Sequence, residues 1–82
     1  MKQPHVDVKI LAQPGVALDE TTKRVWASVI RQRCPVAVEQ IQDPRQIALY
    51  GAPAVPAVIV GGQLVHTGCV PSVQTVRSWF PH

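Results

Sequence analysis

The sequence predicts a single α/β domain, residues 1–82, with the element order βαβαββα: a four-stranded mixed sheet flanked by three helices. Three observations predict this fold class. Near the N-terminus, the spacing of apolar residues changes from every second residue to the spacing of a helix. A Gly61-Gly62 pair separates two apolar runs, which is typical of a β-hairpin. Helix-starting residues at Asp43-Pro44 and Ser72 place one helix before that hairpin and one after it.

The first strand is predicted at Val6–Leu11, because apolar residues there alternate with Asp7 and Lys9. The turn Gln13-Pro14-Gly15 ends it. A helix is predicted from about Val16 to Arg33, with acidic residues in its first turn and basic residues in its last, as the helix dipole favours. Its apolar stripe is predicted to contain Leu18, Thr22, Val25 and Val29, widened by Trp26 and Ile30.

The second strand is predicted at Cys34–Ile41, with Val36 and Val38 on its buried face. The Asp43-Pro44 pair supplies a good N-cap followed by a proline at the first helical position. A second helix is therefore expected to begin there, and Gly51 suits its C-terminal end.

The third strand is predicted to begin near Pro56, because a proline lacks the N–H of a central ladder position but is tolerated at a strand's first residue. Gly61 and Gly62 can both adopt positive φ, as a two-residue hairpin loop requires. Long helical connections make the first two strands parallel, with a right-handed crossover, and place helices on both faces of the sheet. Ser72 caps the last helix, whose predicted packing face contains Val73, Val76, Trp79 and Phe80.

Composition and charge narrow the class of protein. A hydrophobic content of 46% with 16% charged residues is typical of a globular domain and not of a disordered chain. The net charge is +3, and the densest basic group, Lys23-Arg24 with Arg31 and Arg33, is typical of a solvated helix face, so no nucleic-acid partner is predicted. No window approaches the ~20 apolar residues of a membrane span, and no signal-peptide core is present, so a cytoplasmic protein without a membrane partner is expected.

Five short segments carry a resemblance to a known family: Val6–Leu11, Tyr50-Gly51, Val55-Pro56-Ala57-Val58, Val60-Gly61-Gly62 and Gly68-Cys69-Val70-Pro71-Ser72. With the βαβαββα order, they make nearly the whole chain resemble the minimal thioredoxin fold. The resemblance is to the small thioredoxin-like proteins often called redox-active disulfide proteins. It implies that the predicted α/β architecture is a thioredoxin-like fold.

The resemblance also implies a Cys-x-x-Cys pair at the start of the first helix, where the helix N-terminus favours a reactive thiolate. The family pattern places Gly15 where the attacking cysteine belongs and Leu18 where the resolving cysteine does, with Val16 and Ala17 between them. Neither Gly15 nor Leu18 can carry out thiol–disulfide exchange. We therefore expect this chain to lack the dithiol activity of the family.

In the family that the chain resembles, the proline at the position of Pro56 is cis and faces the redox motif. If Pro56 keeps this geometry, the backbone of Val55 is left free to pair with an extended substrate. The alternative is an ordinary trans proline that starts a strand. A protein or extended peptide partner is therefore expected at a surface formed by Gly15–Leu18, Val55-Pro56 and Gly68. The apolar Val16–Leu18 stretch is expected to be an exposed patch there, and its partner is either another protein or a second copy of this chain.

Cys69 follows Gly68 at the end of the fourth strand, which the inferred topology places beside the vacated redox motif. Two interpretations remain open: a usable thiolate, favoured by the nearby helix N-terminus and basic side chains, or a small apolar residue at a packed corner. Cys34 is expected to be buried and inert at the opposite end of the sheet. A strand of about five residues spans roughly 17 Å, which is too far for a disulfide between Cys34 and Cys69.

No metal site or cofactor is predicted. His66 and Cys69 are three residues apart in extended chain and are expected to point to opposite faces, and His5 and His82 are expected to be exposed near the termini. Gly61-Gly62 belongs to a hairpin and not to a phosphate-binding loop. The predicted function is a non-catalytic protein- or peptide-binding module. The alternative is a single-cysteine redox protein or thiol carrier acting through Cys69.

Overall fold

The computed structural model describes residues 6–33 and 35–80. The order of elements is the predicted one. The second strand begins two residues later than predicted, and Cys34, which was expected to start it, lies outside the described residues. In chain order the elements are β1 (Val6–Leu11), α1 (Val16–Gln32), β2 (Val36–Ile41), α2 (Pro44–Leu49), β3 (Ala57–Val60), β4 (Gln63–Thr67) and α3 (Val73–Ser78).

The strands form one four-stranded sheet in the order β2-β1-β3-β4. β1 pairs in parallel with β2 and antiparallel with β3, and β3 pairs antiparallel with β4. The predicted mixed sheet is therefore confirmed. The β3–β4 ladder contains one irregularity: Ile59 pairs with Leu64 and Val58 with His66, so Val65 is an extra residue in β4, as in a β-bulge.

The hairpin between β3 and β4 turns at the two glycines that the sequence indicated. Gly61 and Gly62 have φ values of 58° and 82°, in the left-handed region that the favoured two-residue loop requires. The N–H of Gly61 also donates a hydrogen bond of 2.8 Å to the carbonyl oxygen of Asp7. This contact ties the hairpin loop to the central strand β1.

Two apolar clusters cover the two faces of the sheet. Because side chains alternate along a strand, β1 and β3 contribute to both clusters, and this confirms the prediction that helices lie on both faces. The first cluster lies between the sheet and helices α1 and α3, and it contains Val8, Ile10, Ala12, Leu18, Val25, Val29, Val58, Val76 and Phe80. The second lies between the sheet and α2, and it contains Leu11, Ile41, Ile47, Ala57 and Ile59.

The buried stripe of α1 differs from the predicted one. Trp26 is 42% exposed and Ile30 is 71% exposed, whereas Thr21 and Ser28 are buried. Thr21 can be buried because its hydroxyl donates a 2.8 Å hydrogen bond to the carbonyl of Ala17, one turn earlier.

One smaller prediction of burial also needs correction. Val73, which was predicted to lie on the packing face of α3, is 52% exposed. Val36 and Val38 lie on the predicted face of β2, where they are half-buried and pack against the first cluster. Phe80 follows the end of α3 and is buried as predicted.

The predicted caps of the two short helices are confirmed. The Asp43 carboxylate accepts a hydrogen bond of 2.9 Å from the N–H of Arg45 at the start of α2. The Ser72 hydroxyl accepts one of 3.1 Å from the N–H of Thr75 at the start of α3. Within residues 6–33 and 35–80, none of the helices combines the length and the apolar character needed to cross a lipid bilayer.

Candidate functional site

Three strand ends meet at one end of the sheet, which we call the Pro56 end. Leu11 at the end of β1 pairs with Ala57 at the start of β3, and Ala57 pairs with Thr67 at the end of β4. The N–H of Gly68 then donates a hydrogen bond of 3.0 Å to the carbonyl of Pro56. Helix α1 begins at Val16, five residues after the end of β1. The parts of the chain that were predicted to share a site therefore emerge at the same end.

The segment before β3 is open to solvent. The Val55–Pro56 peptide bond is cis, Pro56 is buried, and the residue before it, Val55, is 41% exposed. Among the described residues, the N–H and C=O of Val55 take part in no backbone hydrogen bond. Val55 therefore presents a free donor and a free acceptor beside an ordered strand.

The four residues at the start of α1 do not form the apolar patch that was predicted. Gly15 is the N-cap and provides no side-chain hydrogen bond, and Val16 is 78% exposed. Ala17 is half-buried, and Leu18 is 2% exposed in the first cluster. Leu18 therefore belongs to the core and is removed from the surface patch, and only Val16 projects fully into solvent.

The thiol of Cys69 lies beside the ring of His66. The Cys69 Sγ atom is 3.6 Å from His66 Nε2, and the same nitrogen is 2.7 Å from the carbonyl oxygen of Cys69. The prediction that these two side chains point to opposite faces is therefore wrong. β4 ends at Thr67, and Gly68, with φ of 99°, turns the chain so that Cys69 folds back toward the histidine.

The bulge in β4 explains on which face His66 lies. Paired residues of antiparallel strands project to the same side of a sheet, and His66 pairs with Val58, whose side chain belongs to the first cluster. In a regular ladder without the bulge, Val65 would pair with Val58, and His66 would pair with Ala57 and project toward α2. Its ring instead contacts Trp79, just beyond the end of α3, with 6.0 Å between the ring centroids.

The hydrogen bond to the Cys69 carbonyl assigns the tautomer of His66. A carbonyl oxygen only accepts hydrogen bonds, so Nε2 carries the proton. The N–H that faces the carbonyl also lies beside the sulfur, where it can donate to a sulfur anion. Nε2 cannot at the same time remove the proton of the thiol. The geometry thus suits stabilisation of a thiolate and not general-base catalysis by this nitrogen.

Cys69 is exposed and is a free thiol. Within the described ranges, no group of three or more His, Cys, Asp or Glu side chains is placed to hold a metal ion. The predicted burial of Cys34, its distance from Cys69 and the predicted exposure of His5 and His82 concern residues outside those ranges.

Comparison with known proteins agrees with this architecture. The sequence matches a family described as thioredoxin domain over residues 6–81. A search of curated proteins found no match. The family match covers most of the chain, and the mixed sheet flanked by three helices is the thioredoxin-like arrangement expected of it. The chain therefore belongs to the thioredoxin domain family.

Proposed function

We propose that this thioredoxin domain is a binding module for an extended peptide segment and does not carry out dithiol chemistry. The observation that carries the proposal is the exposed Val55, whose backbone N–H and C=O are without backbone partners among the described residues. The sequence of the α1 start supports the second part, because Gly15 and Leu18 hold no sulfur at the positions of the family's cysteines.

The peptide would be held by backbone hydrogen bonds to Val55. In such β-pairing, main-chain groups supply affinity, and side chains on alternate peptide residues supply specificity. Val16, on the adjacent helix start, offers an apolar surface to one of those side chains. A second copy of the chain is a weaker candidate for this surface, because Leu18 is buried and the apolar patch is reduced to Val16.

The proposal predicts a distinctive dependence on the backbone of the ligand. Peptides selected for binding from a random display library would be resynthesised with one backbone amide N-methylated at a time. Methylation of the amide that faces the Val55 carbonyl is expected to weaken binding about tenfold, since one hydrogen bond of ~1.4 kcal/mol is lost. Neighbouring amides, which face away from Val55, are expected to tolerate methylation. Uniform tolerance at every position would rule out backbone pairing.

A pair of matched variants locates the site. Val16→Asp places a charge on the proposed peptide surface and is expected to weaken binding, whereas Leu49→Asp changes an equally exposed apolar residue on α2 and is expected to have no effect. Amide chemical shift changes on peptide addition are expected at Ala54, Val55, Ala57 and Gly68. Shift changes confined to α2 would place the peptide elsewhere on the domain.

The contact between His66 and Cys69 favours a second candidate function, a single-thiol redox protein. The Cys69 thiolate would attack one sulfur of a disulfide R–S–S–R. A Cys69–S–S–R bond forms, the original S–S bond breaks, and R–S⁻ leaves and takes up the proton released by Cys69. The N–H of His66 Nε2, 3.6 Å from Sγ, would stabilise the attacking sulfur anion.

Trapping experiments test this candidate. The chain is expected to form a mixed disulfide with a small aromatic disulfide, and Cys69→Ser is expected to remove the adduct at that position. His66→Phe keeps a ring beside Trp79 but removes the donor, so we expect adduct formation at Cys69 to slow by about two- to threefold. The expected decrease in rate is small because a more stable thiolate is also a weaker nucleophile. An unchanged rate in His66→Phe would leave the histidine with no part in this chemistry.

A further inference from the structure

A separate cavity lies between α1 and α3. Its volume is about 230 Å³. One wall comes from α1, where the lining residues at positions 24, 27, 28 and 31 share one helix face and Lys23 lies beside them. The other wall comes from α3. Four basic side chains, Lys23, Arg24, Arg31 and Arg77, surround it, and Ala27, Ser28 and Val73 complete the lining.

The charge around this cavity is concentrated and of one sign. The lining contains four of the chain's eight basic side chains and no acidic one among the described residues. The Arg24 guanidinium is held at the wall by a 2.7 Å hydrogen bond from Nη1 to the carbonyl of Pro71. Lys23 contacts Glu20 at 4.0 Å, on the exposed outer side of α1. Because like charges repel, a ring of cations around a concave surface is stabilised when an anion occupies it.

Ser28 provides a second, independent indication of a ligand. The residue is only 4% exposed, and its hydroxyl has no hydrogen-bond partner among the described residues. A buried hydroxyl without a partner costs about 1–3 kcal/mol. The Oγ atom itself is closed to solvent, so an acceptor oxygen of a bound anion would become its partner once the Ser28 side chain, which lines the cavity, rotates about χ1.

The size and lining of the cavity define the rest of the ligand. Ala27, Val73 and the aliphatic parts of the basic side chains make much of the lining apolar. A cavity of about 150 Å³ accommodates benzene, so the larger volume here suits a small ring with an anionic group attached. A polynucleotide site would instead be an extended basic stripe with aromatic stacking residues. Arginine and a hydroxyl together are well matched to phosphate oxygens.

We propose that the cavity between α1 and α3 binds a small phosphate monoester with a compact apolar body. The phosphate accepts hydrogen bonds from the basic side chains and from Ser28, and the apolar body lies against Ala27 and Val73. This site is distinct from the Pro56 end of the sheet and does not depend on the proposed peptide binding.

Phenyl phosphate is a suitable probe, with phenol and inorganic phosphate as its apolar and anionic halves. Titrations followed by amide chemical shifts are expected to show phenyl phosphate binding at least about tenfold more tightly than either half, because both parts of the cavity are used. Shift changes are expected along α1 and at the start of α3. Equal affinity for inorganic phosphate would show an adventitious ion only and would overturn the proposal.

Variants separate this site from the general positive charge of the chain. Arg31→Gln is expected to weaken phenyl phosphate binding about tenfold and Ser28→Ala about threefold, as the loss of a charged and a neutral hydrogen bond implies. Arg45→Gln removes the same charge on α2, outside the cavity, and is expected to leave the affinity unchanged. Circular dichroism would verify that each variant is folded.

Two results would contradict the assignment. If Arg45→Gln weakens binding as much as Arg31→Gln does, the affinity comes from net charge and not from the cavity. If single-stranded DNA binds more tightly than phenyl phosphate, with a steep loss of affinity as salt increases, the basic side chains serve a nucleic acid instead.

Discussion

Replacing Leu18 with alanine is expected to lower the free energy of unfolding by about 3 kcal/mol. Leu18 is 2% exposed and packs in the first cluster with residues of β1, β3 and α3. Its truncation removes buried apolar surface and leaves a cavity that the surrounding side chains fill only in part. For a domain of this length the total stability is on the order of 4–12 kcal/mol, so the loss is a large fraction of it.

Leu49→Ala is the matched control, because Leu49 is also helical but is 86% exposed. The same truncation there is expected to change stability by less than about 0.5 kcal/mol. Urea unfolding of both variants measures the difference in the free energy of unfolding, when the two curves are fitted with one shared m-value. If the loss of stability in Leu18→Ala is no larger than that in Leu49→Ala, Leu18 is not a core residue, and the predicted apolar patch at Val16–Leu18 stands.

The hairpin loop provides the second large effect. Gly62→Val is expected to destabilise the domain by about 2 kcal/mol, because Gly62 has a φ of 82° and a β-branched side chain is strongly disfavoured there. A Cβ atom at this position would meet no other atom within 4 Å, so the cost comes from the backbone and not from crowding.

Gly62→Asn separates these two causes. Asparagine tolerates left-handed backbone better than other residues with a Cβ atom, and its expected cost is less than about 1 kcal/mol. Thermal unfolding of the two variants beside the parent protein would show the ranking. Equal destabilisation by valine and asparagine would mean that side-chain packing, and not φ, governs the loop.

Much of the fold could be predicted because local signals and tertiary structure agree. Gly61 and Gly62 turn the hairpin, Asp43 and Ser72 cap their helices, and the alternation in β1 assigns residues to both faces of the sheet. Each of these signals depends on a few neighbouring residues, so it can be interpreted without knowledge of distant contacts.

The burial of α1 could not be predicted from hydropathy alone. Thr21 and Ser28 lie on the inner face, while Trp26 and Ile30 lie outside. A hydrophobicity pattern assigns polar residues to the surface, but a threonine that donates to a carbonyl in the preceding turn can be buried at little cost. The position of the helix on the sheet decides which stripe is inside, and that position depends on contacts distant in sequence.

The candidate site was predicted in outline only. The register of β1, β3 and β4 brings Pro56 and Gly68 together, as the order of elements implies. The approach of His66 to Cys69 was missed, because it depends on a bulge at Val65 and a turn at Gly68. A glycine after a strand indicates a turn, but strict alternation along β4 gives no sign of the extra residue.

The position of β2 and β4 at the outer edges of the sheet bears on self-association. An unprotected edge strand can recruit a strand from another molecule and extend the sheet into an aggregate. Here the outer edge of β2 includes the exposed, charged Glu39, and β4 is irregular at Val65. Both features discourage continuous pairing with a second chain, so long intermolecular sheets are disfavoured even though the backbone groups of Val55 have no backbone partners among the described residues.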